Sequence, residues 1–256
     1  MFNLTSNMTY FFDWRGNVPH TTFAPFAAYS LRRVVPTYYG PNIQVKRASD
    51  NAIANLYTDD GAAFTALAVS GGSNITDLTT INSWLSLSTN TIYVTTIFDQ
   101  SGNALDLTAC TADVFPRLKA QPGESEIPSP FIHFANTGFT VAFSQTVGSS
   151  LAAVGLMELF TTGSAGGLAI GNSNTQYYET VVRRQSDQKK LYVDSASNGN
   201  NVGSQVWGEA YGPQGWGYSY YTSWHEFVNQ GQLKYSASYS GYTFATGRIG
   251  VGLYVH

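Results

Sequence analysis

A chain of 256 residues with 43% apolar and 14% aromatic side chains can bury about 70% of its unfolded surface, so it needs no staples to build a core. Its one cysteine, Cys110, excludes an intrachain disulfide, and beside Ala109 it is expected to be a buried small hydrophobe. Charged residues make up only 11% and the net charge is −3, which offers no basic field for nucleic acid.

The N-terminal stretch MFNLTSNMTYFFDWRG lacks a basic region followed by an apolar one, so no secretory signal is expected. No apolar run approaches the ~18 residues of a membrane span. Residues 1–25, polar and aromatic with Pro19 and Pro25, predict an extended N-terminal arm that needs a partner surface to stay ordered. The triplets at Asn3, Asn7 and Asn74 fit the N-glycosylation pattern and, without a signal peptide, are expected to be chance matches. Ala27–Val35 fits a short helix or a first strand. Asn42–Ala48 alternates Ile43, Val45 and Arg47 against Gln44 and Lys46, which predicts a strand. Just beyond it, Arg47 and Asp50 in KRASDN are expected to pair and join that strand to a turn, with surface binding as the minor alternative. Asp59–Ser70 opens on an Asp cap and is the best helical segment.

The β-branched run Val94–Ile97 ends in the polar turn Asp99-Gln100-Ser101-Gly102-Asn103. Asp in such a turn bonds nearby backbone and fixes its shape, so Asp99 is expected to be structural rather than catalytic. From Ser83 onward the pattern is strands and turns, with strands predicted over 93–99, 104–108, 131–134, 151–159, 169–170, 179–184, 191–194, 217–222, 231–237 and 248–254. Gly/Ser/Asn clusters at 163–167, 195–201 and 212–217 are expected to punctuate them. Many short strands at such intervals predict an all-β fold, a two-sheet antiparallel sandwich with one short helix. No fixed period repeats, so solenoids and propellers are disfavoured. The domain reading is an arm over 1–25 and a single sandwich over 26–256.

The four histidines, His20, His133, His225 and His256, lack metal-ligand spacing, and no acidic loop has calcium-ligand spacing. Neither a metal nor another cofactor is expected. The segment Trp207–Trp224 is dense in aromatic residues and glycine. Trp207, Tyr211, Trp216 and Trp224 are the candidate ligand-binding residues, since aromatic faces flanked by polar groups suit sugar rings. The same residue types also dominate protein interfaces, and core or loop packing, with Tyr218 and Tyr220 facing inward, is the plainer alternative.

The segments AAYSLRRV…YYGPNIQVKRASDN and, about forty residues on, VTTIFDQSGNALDLT resemble the catalytic-domain family of arabinofuranosidase B. They resemble more closely the versions of that domain found in phage and large-virus structural proteins. The resemblance covers Ala27–Phe143 and implies a concanavalin A-like, laminin G-like jelly-roll sandwich. In a retaining glycosidase two carboxyl groups stand about 5–5.5 Å apart. The resemblance implies that a nucleophilic Glu follows a Gly-Asn turn and opens a strand, which in GNSNTQYYETVV is Glu179. It also implies an acid Asp in the turn after the last Ile/Gly-rich strand. Here that strand is Arg248–Tyr254, and no Asp follows before His256; Glu209 or Glu226 would have to serve through another geometry.

The expectation is therefore a non-enzymatic virion structural protein, a minor capsid, tail or fibre component located in the virion. Its expected partners are other virion proteins or copies of itself, engaged through the N-terminal arm and the C-terminal strand edge, with cell-surface glycan as a further contact. The alternatives are a glycoside hydrolase of the arabinofuranosidase type using Glu179, and a carbohydrate-binding module.

Overall fold

A computed structural model describes residues 27–59, 64–72, 74–86, 89–109, 115–119, 131–134 and 138–143, and strand backbones in the remainder of the chain. The chain divides after Phe139 into two compact units. The arm over residues 1–25, Cys110, Tyr211 and the last residues, 253–256, lie outside the described part.

The first unit is an antiparallel sheet with one helix. Its elements are β1 (Ile43–Arg47), β2 (Ile53–Thr58), β3 (Phe64–Val69), β4 (Asn74–Ile75), α1 (Leu78–Leu85), β5 (Ile92–Ile97), β6 (Leu107–Ala109), β7 (Arg117–Lys119) and β8 (Phe131–His133). The order is β6-β5-β1-β2-β3-β4, and β7 pairs with both β5 and β8. The expected alternation in β1 is present: Ile43 and Val45 are fully buried, and Val45 stands opposite Ala54 of β2 and Val94 of β5. Ile92, Val94, Leu56, Leu67 and Leu118 line the same buried face. At about 25 cal/mol per Å² of apolar surface removed from water, this face is the main source of stability for the unit.

Two local predictions are corrected. Residues 64–69, within the segment expected to be helical, form β3, a strand held between β2 and β4 with Leu67 opposite Leu56. Burying Phe64 and Leu67 in a paired strand outweighs the helix preference of its alanines, since tertiary pairing overrides local propensity. The helix among the described residues lies further on, at α1. There Asp77 is the N-cap, accepting 2.7 Å bonds from both the backbone N–H and the hydroxyl of Thr80. Ser86 closes it in a left-handed conformation. Ile81 and Leu85, four apart, turn their side chains into the core. The second correction is Ala27–Val35, which is neither helix nor strand but an irregular segment pinned by side chains.

After β9 (Gly138–Phe143), which straddles the division, the second unit contains β10 (Leu151–Met157), β11 (Ala165–Gly171), β12 (Tyr178–Gln185), β13 (Lys190–Ser197), β14 (Asn200–Val202), β15 (Trp207–Glu209), β16 (Gln214–Tyr221), β17 (Trp224–Asn229), β18 (Gln232–Ser238) and β19 (Gly247–Gly252). One run has the order β14-β13-β12-β11-β19, with β15 also on β13, and a separate four-stranded sheet runs β10-β16-β17-β18. These pairings are antiparallel. The glycine cluster at 163–167 was expected to be a turn, yet Ala165–Gly167 already belong to β11, where the register shifts between Gly166 and Leu168. Glycine inside a strand commonly marks such a bulge.

Candidate functional site

The most tightly organised polar group in the first unit is the turn after β5. Asp99 is 4% exposed and Gln100 1%. One Asp99 carboxylate oxygen, Oδ1, accepts from the N–H groups of Ala28 and Ser101, both at 2.9 Å. The other, Oδ2, accepts from the Ser101 hydroxyl at 2.6 Å and the Leu105 N–H at 3.1 Å. A carboxylate offers about four lone-pair sites, so this one is saturated. The Asp99 N–H in turn donates to Asp106 Oδ1 at 2.8 Å. Gly102, at φ +91°, supplies the left-handed step that returns the chain toward Leu105.

Gln100 completes the arrangement. Its Oε1 accepts from the Val34 N–H at 2.8 Å, and its Nε2 donates to the carbonyls of Ser30 and Arg32 at 3.2 and 2.9 Å. Its own N–H donates to the Ala28 carbonyl at 2.8 Å. Thr58 Oγ1 donates to the Leu31 carbonyl at 2.6 Å, and the Arg33 N–H donates to the Asp59 carbonyl at 2.9 Å. Segment 28–34 has no ladder of its own, so these groups satisfy its buried backbone. Tyr29 donates to the Leu105 carbonyl at 2.6 Å. Burial, then the charges of Asp99 and Asp106, push its phenol far above the usual range. Tyr38 is pushed up to about 12, by burial first and then by Asp106 and Asp99.

A second cluster lies where β1 meets α1. The Arg47 guanidinium grips Asp50 through two bonds, Nε to Oδ1 at 3.0 Å and Nη2 to Oδ2 at 2.6 Å, and donates through Nη1 to the Trp84 carbonyl at 3.1 Å. Its centre lies 4.4 Å from the centroid of the Trp84 ring, within cation–π range. The Arg47 bond, aided by the Ala52 N–H, holds the Asp50 carboxyl down at about 2. This is the structural pair that KRASDN predicts.

The candidate site residues of the second unit occupy separate places. Glu179 is the second residue of β12. Glu209 ends β15 opposite Lys190, which pairs with Gln185 at the far end of β12. Six residues along a strand separate those ends, roughly 20 Å at about 3.3 Å per residue. The register therefore does not bring Glu209 to Glu179. Glu226 lies in β17 of the four-stranded sheet. Trp216 pairs with Asn229 and Trp224 with Tyr221, at opposite ends of the β16–β17 hairpin, roughly 17 Å apart along the strands. Trp207 belongs to β15, on β13. Register gathers none of these three tryptophans into one row. The residue that sequence reasoning passed over is Gln100: it stood in the quoted turn, but nothing local shows that a neutral amide will serve three backbone groups some seventy positions away.

No protein-family model and no curated protein sequence matches the chain. Its fold is similar to that of solved α-L-arabinofuranosidases. A glutamine-for-glutamate mutant of a GH54 α-L-arabinofuranosidase soaked with 4-nitrophenyl α-L-arabinofuranoside matches with a TM-score of 0.58 at 14% identity, over 89% of this chain and 58% of that one. An arabinofuranosidase complexed with arabinofuranosyl-α-1,2-xylobiose matches with a TM-score of 0.56 at 15% identity, over the same shares. A GH54 enzyme soaked with a cyclic sulfate inhibitor gives 0.50 at 14% identity, over 89% and 53%. The chain thus spans less than two thirds of each of these proteins. What it shares with them is an all-β, arabinofuranosidase-like fold. Among the described residues no helix is long and apolar enough to cross a membrane, and no three His, Cys, Asp or Glu side chains are placed to hold a metal.

Proposed function

We propose that this chain is a non-enzymatic structural protein of a virus particle, a capsid, tail or fibre component. In this reading residues 26–256 form a single two-sheet, concanavalin A-like sandwich that contacts other virion proteins or further copies of itself, and also a glycan on the host surface. The observation that carries the non-enzymatic part is the employment of carboxylates among the described residues of the first unit. Asp50 holds Arg47, Asp77 caps α1, Asp99 is saturated by four donors, and Asp106 accepts from the Asp99 backbone. A general acid or base needs a proton position facing substrate, and each of these groups faces its own chain instead. The remoteness of Glu209 from Glu179 in the strand register supports the same conclusion. The assignment to a virion rests on the resemblance of the 27–51 and 94–108 segments to virus-borne relatives.

The test has two arms. Peptides of this chain are expected in gradient-purified particles at a fixed ratio to the major capsid protein, and their absence would overturn the virion role. The purified protein is expected to leave an aryl arabinofuranoside intact. Turnover that disappears in Glu179→Gln would replace this reading with the second one, a hydrolase of the arabinofuranosidase type. That second reading is favoured by the similarity to structures solved with arabinofuranosides. A carbohydrate-binding module, the third reading, predicts glycan-array signal that is lost in Trp216→Ala or Trp224→Ala.

A further inference from the structure

One face of the first unit's sheet is built as a basic and aromatic row. Opposite residues in a sheet point to the same side, and the register aligns five of them across five strands. Ile53 of β2 stands opposite Lys46 of β1, Lys46 opposite Tyr93 of β5, Tyr93 opposite Arg117 of β7, and Arg117 opposite His133 of β8. Their chain neighbours Val45, Ile92, Val94 and Leu118 point the other way, into the core, so the row lies on the outer face, where Ile53 and Arg117 are exposed and Lys46, Tyr93 and His133 are half-buried. With strands about 4.8 Å apart, it extends roughly 19 Å. Phe115 adds a second ring: its centroid is 6.0 Å from that of Tyr93 and 5.9 Å from the Lys46 ammonium. Ile53 is 38% exposed, unusual for a large apolar side chain on a sheet face, and Arg117 and Lys119 are both exposed.

The electrostatics of this row are one-sided. No carboxylate stands in it. Burial, then Lys119 and Arg117, push the His133 imidazole below its usual range, so the charge of the face is carried by Lys46, Arg117 and Lys119. Lys46 and Arg117 stand on either side of Tyr93, and Lys119 lies two residues along β7 from Arg117, so an anion lying on the row would meet cations with no carboxylate between them.

We infer that this outer face is a docking surface for an acidic glycan, one whose sugar rings carry carboxylate groups. The row alternates apolar or aromatic positions (Ile53, Tyr93) with cationic ones (Lys46, Arg117). An acidic sugar alternates in the same way, offering a C–H face to a ring and a carboxylate to a cation. Duplex nucleic acid would offer phosphates to the same cations but no apolar ring face to Ile53 and Tyr93, because its bases are stacked inside the helix, which favours the glycan. The residues of this surface all belong to the first unit, and the inference does not depend on the virion reading.

The experiment is affinity electrophoresis of the full chain through gels containing polygalacturonate, neutral arabinoxylan, polyglutamate or duplex DNA. Retardation by polygalacturonate alone is expected, weakening as salt is raised. Arg117→Glu and Lys46→Ala, on different strands, are each expected to weaken it about fivefold. Both variants should melt as the wild type does; if Arg117→Glu does not fold, Arg117→Gln, at an exposed position, takes its place. No retardation, or retardation unchanged in both variants, overturns the site. Equal retardation by polyglutamate or DNA overturns the glycan and leaves a general polyanion surface.

Discussion

Replacing Gln100 by Ala probes the turn after β5 most directly. The wild-type amide makes three partly buried bonds, to the Val34 N–H and to the Ser30 and Arg32 carbonyls. The orientation of the amide is dictated by these partners, one donor before its oxygen and two acceptors before its nitrogen. A hydrogen bond contributes about 0.5–1.5 kcal/mol net, and a buried partner left unsatisfied costs about 1–3 kcal/mol. Water will reach some of the orphaned groups, so the expected loss is about 2–4 kcal/mol. Gln100→Glu should be at least as damaging, because it keeps an acceptor for Val34 but sets a second oxygen against two carbonyls. The assay is denaturant unfolding combined with amide exchange. The reporter is the Arg33 N–H, whose own partner, the Asp59 carbonyl, is untouched by the change. At about 1.4 kcal/mol per tenfold, its exchange should accelerate about 30-fold or more. If stability moves by less than about 0.5 kcal/mol and Arg33 exchange is unchanged, segment 28–34 is held by something other than Gln100.

Three further outcomes follow from the first unit. Leu67→Ala, at a fully buried position of β3 opposite Leu56, should cost about 2–5 kcal/mol in denaturant unfolding, whereas Thr65→Ala, at an exposed position of the same strand, should change stability by less than about 0.5 kcal/mol. Asp50 is held down at about 2 by Arg47; a depressed carboxyl stabilises above its unfolded value and loses that contribution as pH falls from about 4 through about 2. Asp50→Asn should therefore flatten the stability profile in that acid window and leave neutral-pH folding intact. Tyr38 is raised to about 12, so its contribution is complete below pH about 10 and is lost as pH rises through about 12. Alkaline titration of phenolate absorbance should show a step near pH 12 that disappears in Tyr38→Phe, Tyr29 ionising later still.

The strands that announce themselves in sequence are those with one clean buried face. In β1 the alternation around Ile43 and Val45 coincides with the core, and the run ending at Ile97 coincides with β5. The helix did not announce itself. Its sequence LTTINSWL is rich in Thr, Asn and Ser, which are poor interior helix formers. Only the Asp77 cap and the Ile81–Leu85 spacing mark it. The alanines Ala66 and Ala68 gave the opposite signal and were overruled by strand pairing. Among the candidate site residues, the role of Asp99 was legible because an Asx turn is local. The separation of Trp216 from Trp224, and of Glu209 from Glu179, was not, because it is fixed by hairpin register that residue types do not encode.

The hydrogen bonds of the turn also explain why segments 28–34 and 99–105 depend on each other. AAYSLRRV supplies the Ala28 and Val34 N–H groups, the Ser30 and Arg32 carbonyls and the Tyr29 hydroxyl; DQSGNAL supplies the carboxylate, the amide and the Leu105 carbonyl that meet them. Neither half satisfies its buried backbone alone, so a chain that keeps one must keep the other. Such a pair is a requirement of the fold, independent of any substrate. A sugar-cleaving enzyme and a structural protein built on the same sheet would need it equally. This pairing is therefore silent on activity, and the distinction between the hydrolase and the structural readings falls on Glu179.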